Sequence, residues 1–124
     1  DNVNALKKVL IKGKKGNIYN IGGDKEFSNI YIIKKICRIL DQIEPRKNKK
    51  KYESLIKFVF DRPGHDKRYS LNSNKIKKIF NWKPKIDINT GLESTIYWYL
   101  NNKSWWKKIR KYKYKGERLG KING

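Results

Sequence analysis

The spacing of apolar residues predicts two amphipathic helices in the first third of the chain. The first covers residues 2–12, and Ser28 or Asn29 caps the second, which ends at Pro45. The apolar residues at helical spacing are Val3, Leu6 and Leu10 in the first helix, and Ile33, Ile36, Cys37, Leu40 and Ile43 in the second. Residues 46–51 are strongly basic and predict a solvated, locally disordered loop.

Two further helices are predicted in the second half of the chain. Asn72 or Ser73 caps the third helix, and Asn81 stands where a helix end favours a left-handed residue. Thr90 and Glu93 have the spacing of a capping box, which would start the fourth helix. The side chains expected to pack inward are Ile76, Ile79, Phe80, Trp82, Leu92, Ile96, Tyr99 and Leu100. An aromatic turn with Trp98, Trp105 and Trp106 is expected to follow, and the last residues show no clear periodicity.

Shorter apolar runs predict strands. Residues 17–21 alternate as in a half-buried strand, residues 56–60 are typical of a buried strand that delivers a loop, and residues 68–71 suggest a short edge strand. The Gly22–Gly23 pair after the first of these is a weak dinucleotide signal, because no third glycine follows at the right spacing. The pattern predicts an α/β fold, a small mixed domain of about four to five helices with two or three short strands.

The loop at residues 61–66 reads Asp-Arg-Pro-Gly-His-Asp and is the main candidate for chemistry. Pro63 fixes its own φ and biases Arg62 toward an extended conformation, so the guanidinium leaves the backbone in a defined direction. Gly64 lets the chain turn and lets a ligand approach the backbone. An arginine with His65 three positions later suits a bidentate anion grip. From these six residues alone, an ordinary surface turn with a solvated Arg–Asp pair is the slightly favoured interpretation.

The net charge of +21 indicates a basic module that binds nucleic acid. Only six of the 32 basic residues are arginines, and the lysines are spread over every segment. Surfaces that read bases favour arginine. The alternative is therefore a module that binds nucleic acid non-specifically at low salt. We expect no specific nucleic-acid partner.

Cysteine and histidine counts exclude several classes of site. The single cysteine excludes an intramolecular disulfide and favours a cytoplasmic location. One histidine and one cysteine are too few ligands for a metal cluster. No apolar stretch approaches the ~20 residues of a membrane span. The chain contains no methionine, which leads us to expect a processed product or the C-terminal piece of a longer protein.

Several motifs occur together in an order that resembles one enzyme family. These are Tyr-Asn-Ile-Gly-Gly at residues 19–23, Asp-Arg-Pro-Gly-His-Asp at 61–66 followed by Arg68 and Tyr69, Trp-x-Pro at 82–84, Trp-Tyr-Leu at 98–100, Trp-Trp at 105–106 and Tyr-Lys-Gly-Glu-Arg-Leu-Gly at 114–120. The chain resembles the C-terminal part of the dTDP-glucose 4,6-dehydratases, which are extended short-chain dehydrogenases/reductases. Part of the pattern is shared with other sugar-nucleotide epimerases and dehydratases, which remain an alternative.

The resemblance implies a function and a set of site residues. Residues 1–124 would be the sugar-nucleotide-binding portion, and the NAD-binding N-terminal Rossmann domain, with the catalytic residues, would be absent from this chain. The family is a homodimer that converts dTDP-glucose to dTDP-4-keto-6-deoxyglucose for deoxysugar synthesis, and we expect this segment to be inactive alone. The resemblance assigns substrate binding to Asn29, Asp61, Arg62, Pro63, Gly64, His65 and Tyr114 and assigns no catalytic, cofactor-binding or metal-binding residue to the segment.

Overall fold

The computed structural model describes residues 1–61 and 63–112. These residues form the α-helices α1 (Asn2–Lys12), α2 (Asn29–Ile43), α3 (Asn74–Phe80), α4 (Ile88–Asn101) and α5 (Lys103–Tyr112), with a 3-10 helix at Tyr52–Leu55. The chain divides into two compact units, one made of Asp1–Ser28 and Lys67–Ile88 and the other of Asn29–Asp66 and Asn89–Gly124. Among the described helices, none is long and apolar enough to cross a membrane.

The predicted strands at residues 17–21, 56–60 and 68–71 are wrong. The described residues contain helices, turns and extended chain, but no strand. A strand exists only where a neighbouring strand accepts and donates its backbone hydrogen bonds, and apolar content alone does not supply that neighbour. Phe58 and Phe60 are 86% and 94% exposed, so residues 56–60 are not the buried segment that their sequence predicted.

The first unit is held by α1 packing against α3. Its core consists of Ala5, Ile76, Phe80 and Trp82, with Val9, Tyr19 and Ile21 packed against it. The predicted burial of Ile76, Phe80 and Trp82 is confirmed, whereas Ile79 is 54% exposed and was wrongly placed inward. The helix at residues 2–12 is also confirmed, but a different face of it is buried. Its small residue Ala5 meets α3, and the Val3, Leu6 and Leu10 stripe faces solvent.

The ends of α3 follow the predicted capping chemistry. Ser73 occupies the N-cap position, but its side chain makes no capping bond, and the Asn72 carboxamide accepts a hydrogen bond from the Asn74 backbone N–H at 2.9 Å instead. At the other end Asn81 adopts the left-handed conformation, with φ +46°. Asparagine tolerates this conformation better than a β-branched residue does, which explains its presence at the helix end.

In the second unit, the 3-10 helix packs against α2. The Tyr52 backbone N–H donates to an Asp41 carboxylate oxygen at 3.0 Å, and the Tyr52 hydroxyl donates to the Glu44 carbonyl at 2.8 Å. Residues 46–51, predicted to be a solvated and locally disordered loop, include a turn. Arg46 fixes this turn by donating to the Lys51 carbonyl at 3.3 Å and to the Ser54 hydroxyl at 3.0 Å.

Helix α4 begins at Ile88, so the predicted capping box at Thr90 and Glu93 is wrong. Asp87 rather than Thr90 precedes the first helical residue, and aspartate is an equally favoured residue at that position. The predicted aromatic turn is a helix, α5, whose Trp106 indole N–H donates to the Tyr99 carbonyl at 2.9 Å. Burial of Cys37 in α2 confirms its predicted role as a small apolar residue.

Candidate functional site

The loop at residues 61–66 is closed by a contact between its two ends. The His65 Nδ1 lies 3.1 Å from an Asp61 carboxylate oxygen, so the histidine pairs with the aspartate that opens the loop. Between them, Gly64 has a φ of +70° and open space around the position that a Cβ would occupy. A side chain at position 64 would therefore be strained by the backbone, although it would meet no neighbour. The result is a short, exposed corner with a backbone that a ligand could approach closely.

The remaining predicted substrate contacts divide between described and undescribed residues. Asn29 is the first residue of α2, is exposed, and belongs to the same compact unit as the loop. The first amides of a helix have no partner within it, and they favour anions such as phosphate. Arg62 and Tyr114 lie outside the residues that the structure describes. The structure therefore brings Asp61 and His65 into contact and locates Asn29 at a helix start.

A second polar cluster, centred on Glu26 in the first unit, was missed by the sequence analysis. Arg68 Nε and Nη2 donate to the two Glu26 carboxylate oxygens at 2.8 and 2.7 Å, and the Ser70 hydroxyl donates to one of them at 2.8 Å. Hydrogen bonds from Arg68 and then Ser70 lower the pKa of Glu26 from 4.5 to about 2, and the same contact raises the pKa of Arg68. We call these three residues the Glu26 clamp. Of the three residues, only Arg68 belongs to a motif found in the sequence, since it follows the loop at residues 61–66 within that motif.

The Glu26 clamp borders a cleft of about 340 Å³ in the first unit. Residues 22–26 and 69–74 line this cleft together with Lys77, which pairs with Asp24. Gly22 packs closely against the other side of the cleft, because a Cβ there would lie 3.2 Å from the Leu71 Cβ and would crowd it. The acidic groups of the lining are already paired with basic side chains. The described residues contain no group of three or more His, Cys, Asp or Glu side chains that could hold a metal ion.

Comparison with known proteins identifies the class of protein that carries this site. The family model described as GDP-mannose 4,6 dehydratase matches residues 1–95. The dTDP-glucose 4,6-dehydratase of Escherichia coli is 47% identical over 124 residues, covering 98% of this chain and 34% of that enzyme. The corresponding enzyme of Neisseria meningitidis serogroup B is 43% identical over 122 residues, covering 97% of this chain and 34% of that enzyme. The chain therefore belongs to the GDP-mannose 4,6 dehydratase family.

Within that family, the relatives it matches at this level are dTDP-glucose 4,6-dehydratases, which confirms the resemblance seen in the sequence. A crystal structure of dTDP-glucose 4,6-dehydratase from Bacillus anthracis, in complex with NAD, has the same fold over 87% of this chain. The TM-score is 0.70 at 37% identity, and the match covers 31% of that chain. The chain spans about a third of the length of the curated relatives it matches.

Proposed function

We propose that this chain is the C-terminal, substrate-binding portion of a dTDP-glucose 4,6-dehydratase. That enzyme converts dTDP-glucose to dTDP-4-keto-6-deoxyglucose, a precursor of deoxysugars in polysaccharides. The observation that carries the proposal is similarity over 98% of the chain at 47% identity, since it includes both the loop at residues 61–66 and the start of α2. The chain would bind the sugar nucleotide, and another portion of the enzyme would transform it.

The loop at residues 61–66 would bind the diphosphate. Arg62 would supply a planar, bidentate donor, and the Asp61–His65 contact would keep the loop closed while Pro63 and Gly64 hold its corner. Open space beside Gly64 supports this role, because a ligand needs close access to the backbone there. Asn29 would hydrogen-bond the nucleotide at the start of α2, and Tyr114 would close over it from the tail.

NAD would be held by an N-terminal Rossmann portion of the enzyme rather than by this chain. A dinucleotide turn needs a strand before its glycines and a helix directly after them. In the described chain, no strand precedes Gly22 and Gly23, and α2 begins only at Asn29. The residues present therefore do not fit the cofactor, and we expect the chain alone to turn over no dTDP-glucose.

Exposed apolar surfaces support the existence of such a partner portion. Phe58, Val59 and Phe60 are 86%, 67% and 94% exposed, and Leu10 on α1 is 86% exposed. Exposed apolar side chains in such numbers are typical of a protein–protein contact. The proposed occupant is the N-terminal portion of the same enzyme, and the complete enzyme would form the homodimer of its family.

Titration calorimetry of the full chain with dTDP-glucose tests the proposal. Replacing Arg62 by alanine should weaken binding by about 1.5–3 kcal/mol, the usual contribution of a hydrogen bond to a charged group, which is roughly a 10- to 100-fold rise in Kd. Replacing it by lysine should recover only part of the loss, because an ammonium does not make a bidentate contact.

Lys47→Ala is the matched control, since it removes one positive charge from the exposed turn at residues 46–51. It should leave the Kd unchanged. Equal affinities for Arg62→Ala and the unaltered chain would show that the loop does not bind the diphosphate. Equal losses for Arg62→Ala and Lys47→Ala would show that binding depends on net charge alone.

A further inference from the structure

The chain passes between its two compact units at three places, and two of these crossings adjoin the proposed ligand contacts. It leaves the first unit at Ser28 and enters the second at Asn29, which is itself a proposed contact. It returns after Asp66, directly behind the loop at residues 61–66, and re-enters the first unit at Lys67. Both proposed contacts in the described chain therefore adjoin a point where the backbone crosses.

The Glu26 clamp lies close in sequence to these two crossings. Glu26 precedes Asn29 by three residues, and Arg68 follows His65 by three residues. Consecutive Cα atoms are about 3.8 Å apart, so each contact lies within about 11 Å of one side of the clamp, measured between Cα atoms. Two other contacts link the same two segments, the Asn20–Asn72 hydrogen bond and the Asp24–Lys77 ion pair. Along the chain, neither of them is as near to these two crossings as the clamp is.

The hydrogen bonds of the clamp restrain the position of one segment relative to the other. Both carboxylate oxygens are engaged, at 2.7 and 2.8 Å, by two nitrogens of one guanidinium, and this fork–fork arrangement restrains orientation as well as distance. Ser70 adds a third hydrogen bond to the same carboxylate at 2.8 Å. The clamp joins residues 42 positions apart, so its strength does not come from local helix geometry. This charge-assisted pair thus ties the two segments that lead to Asn29 and to the loop.

We propose that Glu26 and Arg68 are positioning residues, which hold the start of α2 and the loop at residues 61–66 in register for one bound nucleotide diphosphate. This inference rests on the proposed function, since it names residues that orient the same site without touching the ligand. The clamp would act through the backbone, by restraining where the two segments leave the first unit.

Titration of the full chain with dTDP, followed by two-dimensional NMR at the backbone amides of Asn29 and Gly64, tests the inference. In the unaltered chain both signals should shift with one common Kd. Glu26→Gln should raise that Kd about tenfold. The double variant Glu26→Arg with Arg68→Glu should restore it to within about threefold, because it rebuilds the ion pair with reversed charges. A role confined to stability would weaken dTDP binding equally in any variant of similar thermal stability.

Asp24→Asn is the matched control, since it breaks the neighbouring ion pair with Lys77 in the same segment. It should leave dTDP affinity unchanged while lowering thermal stability about as much as Glu26→Gln does. Unchanged affinity in Glu26→Gln, beside a large loss in Arg62→Ala, would overturn the positioning role and leave the proposed function standing. If Arg62→Ala also has no effect, or if the unaltered chain binds no dTDP, the proposed function and this inference both fail.

Discussion

The core of the first unit offers a sharp test, because α3 carries the same residue type in opposite environments. Ile76 is fully buried against Ala5, Phe80 and Trp82, while Ile79 on the same helix is 54% exposed. Replacing either residue by alanine removes the same three carbon atoms and brings the same gain in helix propensity. Any difference between the two variants therefore reports burial alone.

The expected difference follows from the environments. Three buried carbons are worth about 0.8 kcal/mol each in transfer free energy, or roughly 2.4 kcal/mol, and the cavity left behind brings the loss for Ile76→Ala to about 2–5 kcal/mol. Ile79→Ala forfeits only about half of the transfer term and creates no enclosed cavity, so its loss should stay near 1 kcal/mol. Urea unfolding, followed at the indole N–H signal of Trp82, measures the free energy of unfolding of the unit that contains both residues.

If an alanine variant fails to fold, the milder substitutions Ile76→Val and Ile79→Val still test the prediction. Loss of one buried methyl group should cost about 0.5–1.5 kcal/mol at position 76 and a few tenths at position 79. Equal losses at the two positions, in both the alanine and the valine pair, would refute the assignment of Ile76 to the core and Ile79 to the surface.

Two further predictions concern the Glu26 clamp and the end of α3. Because the pKa of Glu26 is lowered from 4.5 to about 2, the clamp adds stability above pH 4.5 and loses it as the pH falls toward 2. NMR of the Glu26 carboxyl carbon should give a midpoint near pH 2, and Arg68→Ala should raise that midpoint; a midpoint near 4.5 in the unaltered chain would exclude the clamp in solution. Asn81, at φ +46°, should tolerate glycine, whereas Asn81→Val should lower the free energy of unfolding by about 1–2 kcal/mol. Equal stability of the glycine and valine variants would show that position 81 is not left-handed.

Helices α1 to α4 could be predicted from the sequence because their information is local. The spacing of Ile76 and Phe80 and the identity of Asn81 are enough to find α3 and its end. Ile79 was misplaced because a short helix has several possible apolar faces, and the choice depends on what packs against it. The small residue Ala5, which a search for large apolar side chains overlooks, decides that choice.

The strands and the Glu26 clamp could not be predicted because both depend on residues far apart in the chain. Residues 56–60 have the composition of a strand, yet pairing requires a neighbour that the pattern does not reveal. The Glu26–Arg68 contact joins positions 42 residues apart, and isolated charges among 32 basic residues carry no pairing signal. The loop at residues 61–66 was found as a motif, and its internal Asp61–His65 contact became visible only in three dimensions.

The uncovered stretch Phe58, Val59 and Phe60 also bears on how copies of this chain behave toward one another. An exposed apolar segment with the composition of a strand can pair with strands from other molecules, which promotes aggregation. The formal charge of +21 opposes such encounters through mutual repulsion, which acts over about 10 Å at 0.1 M salt and about 3 Å at 1 M salt. The charge of the lysines thus keeps copies of the free chain apart only while salt does not screen it. Self-association of the chain should therefore increase with ionic strength.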